Sequence, residues 1–259
     1  MRPLLAAFGL LTRLPVRRAF DPADVARATA YFPIVGAAVG GIQLLVLWAS
    51  SLHRGLLPGF PEIGAPRLPS LAMAVCLAAL GIWLTGAIHV DGLADMADGF
   101  GGGTSRDDVL VIMRDPRVGS YGAIAITLLL LLKVTCISAV IDRRAAVAPL
   151  LAAPILGRWS IVALGRWLPY ARSSGGLGAV VSSQEAHRGL AIATAIAALM
   201  TFAVAGWQGL HFALATIGVT LTTRRLCQRR LGGFTGDTLG ANVELSEAAV
   251  WLVAAATLS

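Results

Sequence analysis

Apolar runs dominate this 259-residue chain and constrain its fold more than any other feature. Seven can be marked: Tyr31 to Leu52, Leu68 to Ile88, Gly119 to Ile141, Ala145 to Leu168, Gly189 to Trp207, a shorter one from Leu210 to Thr223, and a last from Ala248 to the C-terminus. A bilayer core about 30 Å thick takes about 20 helical residues. Inside lipid every backbone polar group must pair within the segment, so runs of this length become helices. The expected fold is therefore all-α: a polytopic integral membrane bundle of about six or seven transmembrane helices, forming one domain over residues 1–259. With 56% hydrophobic and 14% charged residues, an ordinary soluble enzyme is excluded.

Charge placement sets the expected topology. The net charge is +7, but 20 of the 21 basic residues are arginines gathered mainly in the connections, which points to membrane orientation and to no nucleic acid. With the N-terminus inside, segments 1–30, 89–118, 166–188 and 223–247 hold fifteen arginines, against four in the opposite connections. The cytoplasmic face of a cell inner membrane is the expected side for all four. Met1 to Leu11 looks like the front of a signal peptide, but no small-residue cleavage site follows. Residues 1–18 are expected to remain attached as an interfacial or re-entrant segment. Cys76, Cys136 and Cys227 show no paired spacing, so neither a disulfide nor zinc is expected.

One polar stretch, residues 89–122, carries the chemistry. Asp91, Asp95 and Asp98 fall at i, i+4 and i+7, on one helix face at about 100° per residue. Clustered carboxylates repel unless a cation faces them, and a hard ion such as Mg²⁺ suits oxygen ligands. The bland alternative is a solvated acidic face beside the membrane. Gly101 and Gly102 follow, and glycine lets backbone amides approach an anion; a flexible loop would look the same. Arg114 and Arg117 flank Asp115-Pro116, and arginine suits forked contacts with phosphate, or with lipid headgroups.

Asp237 and Glu244 repeat the i, i+7 spacing and are read as completing the metal or catalytic set, with an N-cap as the alternative for Asp237. Arg158 and Lys133 lie inside apolar runs. Such groups are functional suspects; Arg158 could face a phosphate, whereas Lys133, lacking an obvious acidic partner, reads as snorkelling. His89 reads as a polar boundary residue.

Taken in order, Thr12-Arg-Leu-Pro, His89-x-Asp-Gly-Leu-Ala-Asp-x-x-Asp-Gly, Met113-Arg-Asp-x-Arg-Val-Gly-x-Tyr-Gly, Pro169-Tyr-Ala-Arg and Gly236-Asp-Thr-Leu-Gly-Ala-x-x-Glu resemble the adenosylcobinamide-GDP ribazoletransferase family, the membrane-bound cobalamin synthases. The resemblance spans nearly the whole chain. It implies a Mg²⁺-dependent transferase joining adenosylcobinamide-GDP to α-ribazole or its 5′-phosphate, with GMP leaving, in the last steps of cobalamin biosynthesis. Asp91, Asp95, Asp98 and Asp237 would then hold the metal, with Glu244 also catalytic. Arg13, Arg114, Asp115, Arg117, Arg158 and Arg172, with Gly101 and Gly102, would bind substrate and phosphate. Membrane lipid is a further expected partner, and self-association is left open. Two other readings compete: a CDP-alcohol phosphotransferase, whose pattern differs around Ala97-Asp98, and a transporter, whose ionisable residues would sit nearer mid-membrane.

Overall fold

The computed structural model describes residues 1–16, 19–51, 68–172, 178 and 181–257, without the side chains of 51 and 184–187. Positions 17 and 18 of the N-terminal segment and the connection 52–67 therefore lie outside the described residues. The helices are α1 (Arg2–Leu11), α2 (Pro22–Ala28), α3 (Phe32–Ser51), α4 (Ser70–Leu84), α5 (Ile88–Gly102), α6 (Arg106–Ile112), α7 (Ser120–Asp142), α8 (Val147–Trp167), α9 (Gln184–Ala205), α10 (Gln208–Leu231) and α11 (Gly236–Thr257). Among the described residues there is no strand, only an isolated parallel bridge between Tyr170 and Phe234.

Among the described residues, five stretches are long and apolar enough to cross a membrane: Pro22–Ser50, Ser120–Asp142, Val147–Trp167, Arg188–Ala205 and Gly236–Thr257. A sixth exists if α4 and α5, bent by 90°, count as one. The chain is thus a helical membrane protein, but two boundaries differ from the sequence reading. The run Leu210 to Thr223 belongs to α10, which continues to Leu231 through four arginines and is not among the five. The last helix starts at Gly236 rather than Ala248, so Asp237 and Glu244 belong to a membrane-length helix. Hydropathy drops at each acid, but helical pairing does not. Thr235 and Thr238 fix the start by exchanging backbone and hydroxyl bonds, Thr235 N to Thr238 Oγ1 at 2.9 Å and Thr238 N to Thr235 Oγ1 at 3.3 Å.

Helix α8 is the axis of the bundle, buried almost continuously and packed by α3, α9, α10 and α11. Its closest partner is α3. A Cβ at Gly36 would collide with the Pro154 carbonyl, and one at Gly40 with that of Leu150. Small residues four apart let two backbones touch where lipid supplies no hydrophobic drive between helices. Helix α1 buries Ala6, Ala7 and Leu11 against this bundle.

The bend between α4 and α5 is built from left-handed backbone, with φ of 67° at Gly86 and 63° at Ala87. Gly86 N and Ala87 N return to the carbonyls of Trp83 and Ile82, closing α4. The N-terminal segment pins the corner. Arg13 N donates to Leu84 O at 2.8 Å, and the Arg13 side chain lies over Gly86, where an added Cβ would come within 2.9 Å of its Cγ. Replacing Gly86 by alanine is expected to cost about 1–2 kcal/mol for the left-handed conformation alone, seen as a lower melting temperature in detergent.

Candidate active site

The site is organised by the crossing of α5 and α11. At Gly92 an added Cβ would sit 2.6 Å from the Asp237 carbonyl oxygen, and at Gly240 one would sit 3.0 Å from that of Ile88. Only hydrogen fits between the backbones at these two points. The contact sets the acidic face of α5 beside the first turn of α11. Asp95 lies within electrostatic reach of Asp237, Asp91 and Asp98, with Arg172 opposing the repulsion.

Arg172 reaches this face through the single bridge. Ala171 N donates to Phe234 O at 2.8 Å and Phe234 N to Pro169 O at 2.9 Å, so the Pro169-Tyr-Ala-Arg segment runs beside the approach to α11. Arg172 Nη2 then donates to Asp237 Oδ2 at 2.7 Å, while its Nε is buried without a partner among the described residues. Asp91, Asp95, Asp237 and Arg172 are the expected site residues that the structure brings together. Asp91 is exposed and Asp95 and Asp237 are half-buried, so the group is open to an incoming ligand. Among the described residues, no three His, Cys, Asp or Glu side chains close tightly enough to hold a metal by themselves.

Asp98 is turned to another task. Its two oxygens accept from Gly119 N at 2.7 Å and Gly122 N at 2.8 Å, capping the N-terminus of α7. Sharing a face was not enough: Asp98 lies roughly 10 Å along the axis from Asp91, and both of its oxygens are taken by α7 amides. Gly101 and Gly102 also depart from the anion-cradle reading. They lie in the last turn of α5, where free carbonyls rather than amides are presented. Arg230 takes two such carbonyls, donating to Phe100 O at 2.6 Å and Gly103 O at 2.7 Å. Arg106 similarly donates to Leu231 O at 2.8 Å and Ala171 O at 2.7 Å, holding the strip behind Arg172. The sequence reading missed both clamps, because their acceptors are carbonyls far away in the chain.

Arg114, Asp115 and Arg117 form the loop between α6 and α7. Arg117 is exposed and forked onto Asp115, with Nε and Nη2 donating at 2.9 and 2.6 Å. These bonds from Arg117 pull the Asp115 carboxyl down to a pKa of about 2, so the loop carries a compensated pair and an exposed Arg114. The short α6 before it starts with a capping box between Ser105 and Asp108, and hydrogen bonds from Thr104 and Ser105 lower the Asp108 pKa. Arg13 is exposed at the α4–α5 corner.

Glu244 and Arg158 do not join the aspartates. Lys133 Nζ donates to Glu244 Oε2 at 2.9 Å and Glu247 Oε2 at 2.7 Å, and Arg158 pairs with Glu247 Oε1. Lys133, Arg158 and Glu244 are 6%, 2% and 5% exposed, so Lys133 is not snorkelling but neutralised inside the bundle. Two cations balance two carboxylates, tying α7 and α8 to α11. His89, also buried and with no partner for Nε2 among the described residues, lies within reach of these charges rather than at a wet boundary.

A cavity of about 330 Å³ opens beside the acidic face, bordered by Asp91, Asp237 and His89 and otherwise by apolar groups from α1, α2, α3, α8 and α11. It is continuous with the Asp91 and Asp237 carboxylates.

Residues 3–255 match the family model described as Cobalamin-5-phosphate synthase. An adenosylcobinamide-GDP ribazoletransferase of Syntrophobacter fumaroxidans is 39% identical over 243 residues, covering 93% of this chain and 92% of that protein. The one from Chlorobaculum tepidum is 37% identical over 256 residues, 97% and 94% of the two chains. That of Pseudomonas aeruginosa strain PAO1 is 39% identical over 254 residues, 96% of each. No solved structure matches the chain. With nearly every residue from end to end aligned to this group, the chain belongs to the cobalamin-5-phosphate synthase family.

Proposed function

We infer that this protein is an adenosylcobinamide-GDP ribazoletransferase. The observation that carries the reading is the convergence of Asp91, Asp95 and Asp237 with Arg172 at the α5–α11 crossing, in a chain that aligns throughout with enzymes of that name. In the reaction the ribose 3′-hydroxyl oxygen of α-ribazole, or of its 5′-phosphate, bonds to the phosphorus next to the cobinamide arm. The pyrophosphate P–O bond on its far side breaks, and GMP leaves with the bridging oxygen. A carboxylate of the acidic face takes the hydroxyl proton, and Arg172 offers its guanidinium to the phosphates.

The donor set fits Mg²⁺. That ion is held by one or two carboxylates plus substrate phosphates and water, so a closed protein cage of three ligands is not required. Asp91, Asp95 and Asp237 would hold it, with Asp98 committed to α7. When bound it supplies positive charge against the diphosphate and the leaving GMP. The arginine bias supports placing this face at the cytoplasmic side of the inner membrane. Exposed Ile124, Leu128 and Leu131 on α7, and Leu199 and Phe202 on α9, suit contact with acyl chains.

The test is detergent-purified protein given adenosylcobinamide-GDP and α-ribazole, with and without Mg²⁺. GMP is expected in equal amount to the cobalamin formed, and chelation should stop both. GMP release that ignores α-ribazole, or no product with both substrates and metal present, overturns the reading.

A further inference from the structure

Resting on the activity proposed above, we propose that the 330 Å³ cavity seats the acceptor nucleoside, benzimidazole end inward, and that helix α1 forms part of its wall. Three substances must be accommodated around the carboxylates: a corrinoid arm, a guanosine diphosphate and an α-ribazole. Size and polarity separate them. A whole adenosylcobinamide, with its side chains and axial adenosyl group, is too large for such a space. Guanine needs hydrogen-bond partners along its edge, and leaving them unmet against apolar walls is costly. Apart from His89 and the two aspartates, the walls offer apolar side chains, among them Leu10, Leu11, Val25, Phe32, Ile161 and Leu239.

A dimethylbenzimidazole is a flat bicycle with an apolar methylated edge, which such walls suit. The whole nucleoside has roughly twenty non-hydrogen atoms, and a cavity of this volume lies at the small end of ordinary ligand pockets. The polar groups settle its direction. Asp91 and Asp237 border the same cavity, so a base lodged among the leucines presents its ribose hydroxyls to the acidic face. This also gives the N-terminal helix a role. Its Leu10 and Leu11 line the pocket, and Arg13, just beyond them, is fastened to the corner from which α5 starts.

The proposal predicts that the cavity measures the acceptor base. Leu10→Phe and Val25→Phe, both at half-buried positions, should narrow it. With adenosylcobinamide-GDP saturating, kcat/KM is compared for α-ribazole and the same nucleoside lacking both methyl groups. Either narrowing variant should shift the preference toward the unmethylated nucleoside by roughly tenfold, the scale on which hydrophobic pockets discriminate a methylene. Leu10→Ala, which removes bulk and threatens folding least, should shift it the other way. Binding of α-ribazole to each variant by equilibrium dialysis gives a readout independent of turnover. An unchanged preference in all three folded variants, or a change confined to the KM for adenosylcobinamide-GDP, overturns the assignment of this cavity. Failure of the unaltered enzyme to make a cobalamin from either nucleoside overturns the activity itself, a distinct result.

Discussion

Asp95→Asn is expected to lower turnover by roughly a thousandfold, the scale seen when one preorganised electrostatic contact to a transition state is removed. The substitution keeps shape and removes charge. Asp95 is only half-buried and sits between Asp91, Asp98 and Asp237. Losing its charge relieves repulsion in the folded protein, so the variant should melt no lower than the parent. Its defect should appear in chemistry and in the Mg²⁺ concentration needed for half-maximal rate. Asp98→Asn supplies the contrast. There an amide NH₂ would face Gly119 N or Gly122 N, donor against donor, and the expected loss is in folded protein rather than in metal response. Normal kinetics in Asp95→Asn, or matching defects in the two variants, would remove the distinction drawn between these aspartates.

Lys133→Ala is the second large effect. It strips Glu244 of its hydrogen-bonded cation and leaves Glu247 with Arg158 alone. Breaking a buried ion pair by removing one partner typically costs about 3–5 kcal/mol, because a charge is left without compensation. Much of the protein should then be lost from the folded fraction recovered in detergent. Pairing Lys133→Met with Glu244→Gln removes one charge of each sign and should restore most of that fraction. The double variant should also retain cobalamin synthesis. If Glu244 instead touched the reacting atoms, the double variant would fold and remain inactive, which the same assay would reveal.

These two clusters show which placements are legible in a sequence and which are not. Angular spacing identified the α5 face that carries Asp91 and Asp95, and the ordered motifs pointed to Arg172 and Asp237. Angle alone cannot separate residues along an axis, so Asp98 was grouped with Asp91 and Glu244 with Asp237, each pair two turns apart. The glycine run misled for a related reason. Its composition is that of an anion loop, but Gly101 and Gly102 end a helix, and the direction of the helix decides whether amides or carbonyls face outward. Lys133 could not have been paired from the sequence, since its carboxylates lie 111 and 114 positions away. The long apolar stretches were legible because hydropathy and length suffice for them. The true start of α11 was not, because acids satisfied by buried partners interrupt hydropathy without interrupting the helix.

The cap that Asp98 places on α7 has a mechanical corollary. Gly119 is two residues beyond Arg117, so the exposed arginine loop is moored by its trailing end to the same rod that bears Asp91 and Asp95. The Arg117 loop and the two aspartates therefore share one anchorage in the Asp98 carboxylate. Any displacement of the loop's trailing end is carried into the aspartate helix through those two hydrogen bonds.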